Sequence, residues 1–425
     1  MLTITQIRDH RDRVIQLLKI KNFDASTLID QLLQADQERR ESQVRVNDLQ
    51  AELNQVSKEI GQLFKQGEQE KANLAKERTT ELKEAIKTIQ TEMQDATRSL
   101  NDLLVQIPNI PSELVPAGRN EEDNELIREG GILPTLPKDA LPHWDLAKSY
   151  DIIDFDLGVK LTGAGFPVYK GAGARLQRAL ISYFLDINTE AGYIEMIPPL
   201  LVNADSGFGT GQLPDKEGQM YHVQSDDFYL IPTAEVPVTN VYRDVLLEEN
   251  QLPIKNTAYT PCFRREAGSY GKDVRGLNRV HQFDKVEIVQ IQTAENSYKA
   301  LDEMVAHVEG LIQSLELPYR IVRLCGGDLS FTSALTYDFE VFAAAQNKWL
   351  EVSSVSNFES YQANRLKLRY KKAGEKKPQL AHTLNGSALA LPRIVAALLE
   401  NNQTDKGIVV PKVLHSYMGR EIITV

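Results

Sequence analysis

The stretch FRREAGSYGKDVRGLNRVHQF, residues 263–283, sets Arg264, Arg265 and Glu266 before a loop of glycines and charges, and Arg279 and Phe283 after it. These groups can grip a nucleotide. A guanidinium holds a phosphate oxygen and neutralises charge that builds up at phosphorus. A flat aromatic ring stacks on a base, and a carboxylate accepts from an exocyclic amine. Cys262–Ala267 and His281–Ile291 read as two strands around the loop. Alternation then puts Phe283, Lys285, Glu287 and Val289 on one face, and Arg264 with Glu266 on one face of the neighbour. Where those faces coincide, one concave sheet surface carries Arg264, Glu266, Phe283 and Glu287. A solvated hairpin with ordinary salt bridges has the same pattern.

Other chemistries fit less well. TGAGFPVYKGAGARLQ (162–177) holds GxG twice but lacks the third glycine of the dinucleotide fingerprint. It reads either as a loop entering a helix or as part of a site. The chain has no GxxxxGK[ST] and no HExxH, and its seven histidines show no ligand spacing. Two cysteines, Cys262 and Cys325, make neither a disulfide framework nor a zinc cluster, and fit a reducing compartment. The charged start MLTITQIRDHRDR is unlike a signal peptide, and no run reaches the roughly 18 apolar residues of a membrane span. A cytoplasmic protein with no membrane contact is expected. The net charge of -11 means that any nucleic-acid contact must come from local basic patches.

The elements that position these residues fall into two groups. At 425 residues the chain is long enough for two or three domains. Apolar positions from Leu28 to Leu63 and from Ala72 to Ile107 recur in alternating steps of four and three, the seam of a coiled coil. Arg39 and Ser42 interrupt the first seam, and Gly67 is the only breaker between the two. An antiparallel helical hairpin is predicted, each arm roughly 55–60 Å long at 1.5 Å per residue, and projecting. By pattern alone it is a dimerisation element or spacer as readily as a binding arm. Pro108, Pro111 and Pro116 end it, giving units 1–110 and 111–425. Beyond them, YLIPTAEVPV (229–238) and KVEIVQI (285–291) read as strands, and 174–191 and 297–315 as helices. ENNQTDKG (400–407) reads as a loop. The fold class expected is α+β, with a central antiparallel sheet flanked by helices.

FRRE, a loop and RVHQF together resemble motif 2 of the class II aminoacyl-tRNA synthetases. Upstream, a helix and GYIEMIPPLLV with Pro199 resemble motif 1, the dimer-interface element. Downstream, LNGSALALPRIVAALLE (384–400) with Arg393 resembles motif 3. With the helical hairpin, TAEVP (233–237), HQFDKVE (281–287) and EVSSVSNFESYQANR (351–365), the whole chain is similar to the bacterial-type family specific for serine. Departures are small: Ser387 stands where a threonine often follows the motif 3 glycine, and Asp284 where glutamate is common.

The resemblance implies an enzyme that activates L-serine with ATP to seryl-adenylate plus diphosphate and passes serine to tRNA(Ser), and to tRNA(Sec). A rival from the same fold would load an amino acid onto a carrier protein. Serine would be bound by Thr233, Ala234, Glu235, Arg264, Glu287, Asn385 and Ser387. ATP would be bound by Arg264, Arg265, Glu266, Arg279, Val280, Phe283, Glu351, Val352, Ser353, Ser354 and Arg393, with Mg2+ on Glu351 and Ser354. Arg264, Glu266 and Arg393 would be catalytic. The chain would act as a homodimer with tRNA held across both subunits by the helical arm. The basic run NRLKLRYKKAGEKKP (364–378) would guide the acceptor stem, or is a solvated loop.

Overall fold

The computed structural model describes residues 1–216, 218–266 and 274–425. Ala267, the expected end of the first strand, and the loop residues 268–273 lie outside the described residues. The chain divides into two compact units, residues 1–19 with 23–108, and residues 20–22 with 109–425.

In the first unit, helix α1 (Ser26–Lys65) and helix α2 (Gln69–Leu104) form a hairpin. Gly67 turns the chain with φ of 78°, a left-handed conformation that costs glycine little. Leu53, Leu82 and Ile86 form a buried cluster with Leu49 and Val56 packed on it, as the heptad steps require. The seam differs at Arg39. Asp36 rather than Arg39 is fully enclosed, and its carboxylate accepts from Arg39 at 2.8 Å, Arg40 at 3.0 Å and Arg8 at 3.1 Å. Long arginine stems cover the short acid while their own heads stay wetter.

The second unit is built on an eight-stranded sheet with helices against it. Its elements are strand β1 (Glu125–Gly130), helix α3 (Gly171–Glu190), β2 (Ile194–Glu195), β3 (Ile254–Phe263), β4 (Gln282–Gln292), helix α4 (Ser297–Ser314), β5 (Tyr319–Arg323), β6 (Leu335–Ala343), β7 (Lys348–Asn357), β8 (His382–Ala390) and helix α5 (Leu391–Asn401). The strand order is β1-β5-β6-β7-β8-β4-β3-β2. All neighbours pair antiparallel except β2, which joins β3 in parallel at the edge. Long apolar side chains of α3, α4 and α5 share one core with the sheet, among them Leu180, Phe184, Met304, Val308, Ile394 and Leu398.

Three expectations about local structure are corrected. YLIPTAEVPV is a strand only at Phe228–Leu230, and then becomes a short helix, Glu235–Asn240. Its alternating valines suggested a strand, but Val236 and Val238 are both buried, as are the residues between them, so the segment has no solvent face to alternate with. Pro237 lies in the first turn, where no helical N–H is missed. The first strand of the hairpin stops at Phe263, and Glu266 has φ of 49°, incompatible with continuing it. Residues 400–407 are not a loop: α5 runs to Asn401, and Gln403–Thr404 pairs with Gly407–Val409 in a tight hairpin.

Candidate active site

The serine-type residues converge on the middle of the sheet. β4 and β8 are paired so that Glu287 stands directly opposite Ser387, and Val289 opposite Asn385. Thr233 and Glu235 come from the short helix start that packs on β4. Thr233 Oγ1 accepts from the Glu235 N–H at 3.2 Å and donates to Glu287 Oε2 at 3.2 Å. Glu287 is also ion-paired with Lys285, two residues earlier on the same strand face. Thr233, Glu235, Glu287, Asn385 and Ser387 are all buried. Ala234 turns its methyl into the apolar cluster of Val238, Ala258 and Val289 beneath, so only its backbone is free to serve a ligand.

Burial dominates the electrostatics of this pocket. Glu235 is pushed up to about 7, first by desolvation and then by the Glu287 carboxylate, against the opposing Gln362 hydrogen bond. Glu287 is also raised by burial, with Lys285 and Thr233 pulling the other way. Gln362 donates to Glu235 Oε1 at 2.7 Å, and its own oxygen accepts from Thr383 Oγ1 at 2.7 Å. Lys285, Gln362 and Thr383 were not among the residues expected from sequence. Lys285 and Gln362 lie inside stretches that carried the family resemblance, but only the folded chain shows what they touch.

The nucleotide-type residues lie next to these. Arg264 bridges the groups: its Nε donates to Pro232 O at 3.3 Å, and its guanidinium carbon lies 5.3 Å from the Phe283 ring centroid. That contact is a cation–π pair. Arg279 is ion-paired with Glu266. Arg265 is exposed and Val280 is buried. Arg393, at the start of α5, donates to Asn278 O at 2.9 Å and to Glu351 O at 2.7 Å, and its guanidinium lies 3.7 Å from the Glu351 carboxylate. Asp284 faces the other way and accepts from Gln177 of α3 and from Tyr259, each at 2.8 Å. The glycine-containing stretch before α3 packs nearby, with the His281 N–H bonded to Gly165 O at 2.8 Å.

Glu351 and Ser354 are three residues apart, a spacing that puts side chains on opposite faces of a regular strand. A bulge resolves this. Phe339 pairs with Ser353 and Glu340 with Glu351, leaving Val352 as the extra residue. Ser354 Oγ can therefore donate to Glu351 Oε1, at 3.4 Å. Val352 drops into the core and Ser353 spends its hydroxyl on Ser387 O at 2.6 Å, so neither side chain is free to serve a ligand.

Asp338, directly opposite Ser354, has a buried Oδ1 with no hydrogen-bond partner. Burial and the Glu351 charge hold its carboxyl well above the usual range. The Asp338 and Glu351 carboxylates and the Ser354 hydroxyl, with Asp338 Oδ1 unpartnered, are hard oxygen donors of the kind Mg2+ takes. Asp338 was also missed in the sequence; no spacing rule links it to Glu351 across a bulged strand pair.

Comparisons with known proteins show what the chain as a whole is similar to. Residues 221–402 match the family model "tRNA synthetase class II core domain (G, H, P, S and T)", and residues 1–111 match "Seryl-tRNA synthetase N-terminal domain". A Serine--tRNA ligase of Salinibacter ruber is 50% identical over 420 residues, covering 99% of this chain and 98% of the relative. The crystal structure of seryl-tRNA synthetase from Pyrococcus horikoshii complexed with ATP superposes with a TM-score of 0.93 at 33% identity, over 100% of this chain and 99% of that one. Cytoplasmic Serine-tRNA ligase from Naegleria fowleri in complex with AMP gives 0.88 at 27% identity, over 100% and 99%.

Proposed function

The chain belongs to the seryl-tRNA synthetase family of class II ligases, and from that premise we propose how its residues divide the work of a serine–tRNA ligase. In the first step a serine carboxylate oxygen attacks the α-phosphorus of ATP and the bond to the β,γ-diphosphate breaks, giving seryl-adenylate. In the second the 3′-terminal hydroxyl of tRNA attacks the acyl carbon, and AMP leaves. Neither step needs a protein nucleophile. The protein contributes position and charge.

The ionised Glu235 holds the α-ammonium of serine. Thr233, Glu287, Asn385 and Ser387 surround the hydroxyl. A site built to bond that hydroxyl rejects alanine because its loss strands buried polar groups. Arg264 holds the serine carboxylate and the α-phosphate together. Phe283 stacks on adenine while Glu266 accepts from its amine, with Arg265 and the Val280 backbone at the rim. Arg279 and Arg393 hold the β- and γ-phosphates, and the backbone of Val352 and Ser353 lies along them. Glu351 and Ser354, with Asp338 opposite Ser354 on the neighbouring strand, would hold Mg2+, which when bound would supply positive charge to the phosphates.

The observation that carries this reading is the position of Arg264. It adjoins a buried, carboxylate-lined pocket on one side and the Phe283 ring on the other. Serine-dependent exchange of diphosphate into ATP tests it: exchange with serine and not with alanine is expected, and charging of tRNA(Ser) should follow. Exchange without tRNA charging would instead favour a ligase for a carrier protein.

The same reading includes tRNA(Sec) as a substrate, residues 1–110 as the tRNA-binding arm and residues 111–425 as the catalytic domain. It also includes a homodimer with tRNA held across both subunits. Ile194 and Ile197, 66% and 92% exposed at the edge of the sheet in the motif 1 segment, support a subunit contact there. Among the described residues no helix is long and apolar enough to cross a membrane, and the reaction belongs with translation in the cytoplasm.

A further inference from the structure

Beneath the phosphate-type arginines lies a buried polar chain that the assignments above do not use. Its centre is Glu400, in the last turn of α5 and fully buried. Glu400 Oε1 accepts from the His143 backbone N–H at 3.0 Å, from His143 Nδ1 at 2.8 Å and from Gln346 Nε2 at 2.7 Å. Oε2 accepts from the Gln346 N–H at 3.2 Å. His143, also fully buried, starts the short helix His143–Ser149. Its other ring nitrogen, Nε2, accepts from the backbone N–H of Leu277 at 2.8 Å. A backbone amide can only donate, so Nε2 carries no proton and Nδ1 donates to Glu400.

Leu277 belongs to the segment 274–281, here called the stem, that carries Arg279 into β4. Three more contacts hold that stem. Asn278 Nδ2 donates to Gln346 Oε1 at 2.7 Å, Asn278 O accepts from Arg393 Nε at 2.9 Å, and the Arg275 guanidinium stacks 4.5 Å from the Trp144 ring. Gly276 makes the close approach possible. Its φ is 66°, and a Cβ there would lie 2.3 Å from His143 Nε2. Arg393 and Glu400 are seven residues apart, on one face of α5. The helix thus grips two consecutive residues of the stem, Asn278 through Arg393 and Leu277 through Glu400 and His143.

We propose that His143 and Glu400 are positioning residues that clamp the stem to α5 and so hold Arg279 and Arg393 in register for the phosphates of ATP. The proposal rests on the phosphate roles of those arginines. A side chain that preserves the acceptor for the Leu277 amide should preserve ATP binding; one that keeps only the donor to Glu400 should not.

Two near-isosteric variants separate these outcomes. In His143→Gln the amide oxygen stands where Nε2 stood, so the Leu277 contact survives. In His143→Asn the amide nitrogen stands where Nδ1 stood, so only the Glu400 contact survives. KM for ATP and for serine are measured separately in diphosphate exchange, with a thermal melt of each protein. His143→Asn should raise the ATP KM about tenfold, the scale of one lost buried hydrogen bond. His143→Gln should stay within about twofold, and the serine KM should hold in both. Gly276→Ala, which sets a Cβ against the imidazole and so pushes the stem off it, should reproduce the ATP effect. Equal ATP KM values for the Gln and Asn variants, or a rise shared equally by serine, overturns the proposal. Absence of serine-dependent exchange in the unaltered chain would instead sink the functional reading itself.

Discussion

Arg279 and Glu266, assigned to opposite ends of ATP, are ion-paired with each other across the two arms of the motif 2 hairpin. Binding ATP by this reading exchanges one partner for another: Arg279 gives up a carboxylate for phosphate oxygens, and Glu266 gives up a guanidinium for an adenine amine. Glu266→Gln keeps an acceptor for the amine and releases Arg279, whereas Glu266→Ala keeps neither interaction. The ATP KM of Glu266→Ala should rise about tenfold, and that of Glu266→Gln by clearly less. Steady-state exchange kinetics with ATP varied decide the order; equal effects would remove Glu266 from the base.

With Glu235 holding the serine ammonium as proposed, its acidity makes serine binding depend on pH. Its carboxyl is pushed up to about 7 by burial and by Glu287. Binding an ammonium requires the ionised form. Serine affinity should therefore be full above pH 7 and fall as pH drops through it, approaching about tenfold per unit, with a proton released on binding. The sign for stability is opposite. The folded chain holds this proton from 4.5, the ordinary value, up to about 7, so ionisation of Glu235 opposes folding over that window. kcat/KM for serine between pH 5.5 and 8 tests the first point, and a flat profile would take Glu235 out of the ammonium site.

Lys285 and Glu287 form a buried pair, with side chains 7% and 2% exposed. Lys285→Met leaves a carboxylate without its counter-charge. The loss should be about 3–5 kcal/mol, because removing one member of such a pair strands the other. A urea melt of the variant measures it. The double variant Lys285→Met with Glu287→Gln should recover much of the stability but none of the serine binding.

Deleting residues 30–104 removes most of the helical hairpin and leaves the second unit whole. Serine-dependent exchange should persist in the deletion, while charging of tRNA(Ser) should be lost. Normal charging would refute the role given to the arm.

Local pattern went far in this chain because helix and strand periods are set by neighbours. The heptad steps gave away the hairpin of α1 and α2, and the run KVEIVQI gave away β4. The valines around Pro237 misled because alternation marks a strand only where one face meets water, and Val236 and Val238 are buried with everything between them. Seam register also failed at Arg39, where three arginines enclosing Asp36 outweigh the period.

Among the residues proposed for the site, those carried by a contiguous motif could be nominated from the sequence: Arg264, Glu266, Phe283 and Arg393 stand in recognisable strings. Asp338, Gln362 and Thr383 were not, because each matters through a partner distant in the chain. By itself the sequence determined the residue types, the order of the motifs, the helical arm and hence the family. Tertiary structure alone decided the bulge at Val352 that turns Glu351 and Ser354 to one side, the pairing of Arg279 with Glu266, and the burial that raises Glu235. It also decided the clamp from Glu400 through His143 to Leu277. Periodicity follows from bonds between near neighbours, whereas register, desolvation and charge pairing follow from which distant segments the folded sheet brings within hydrogen-bonding distance.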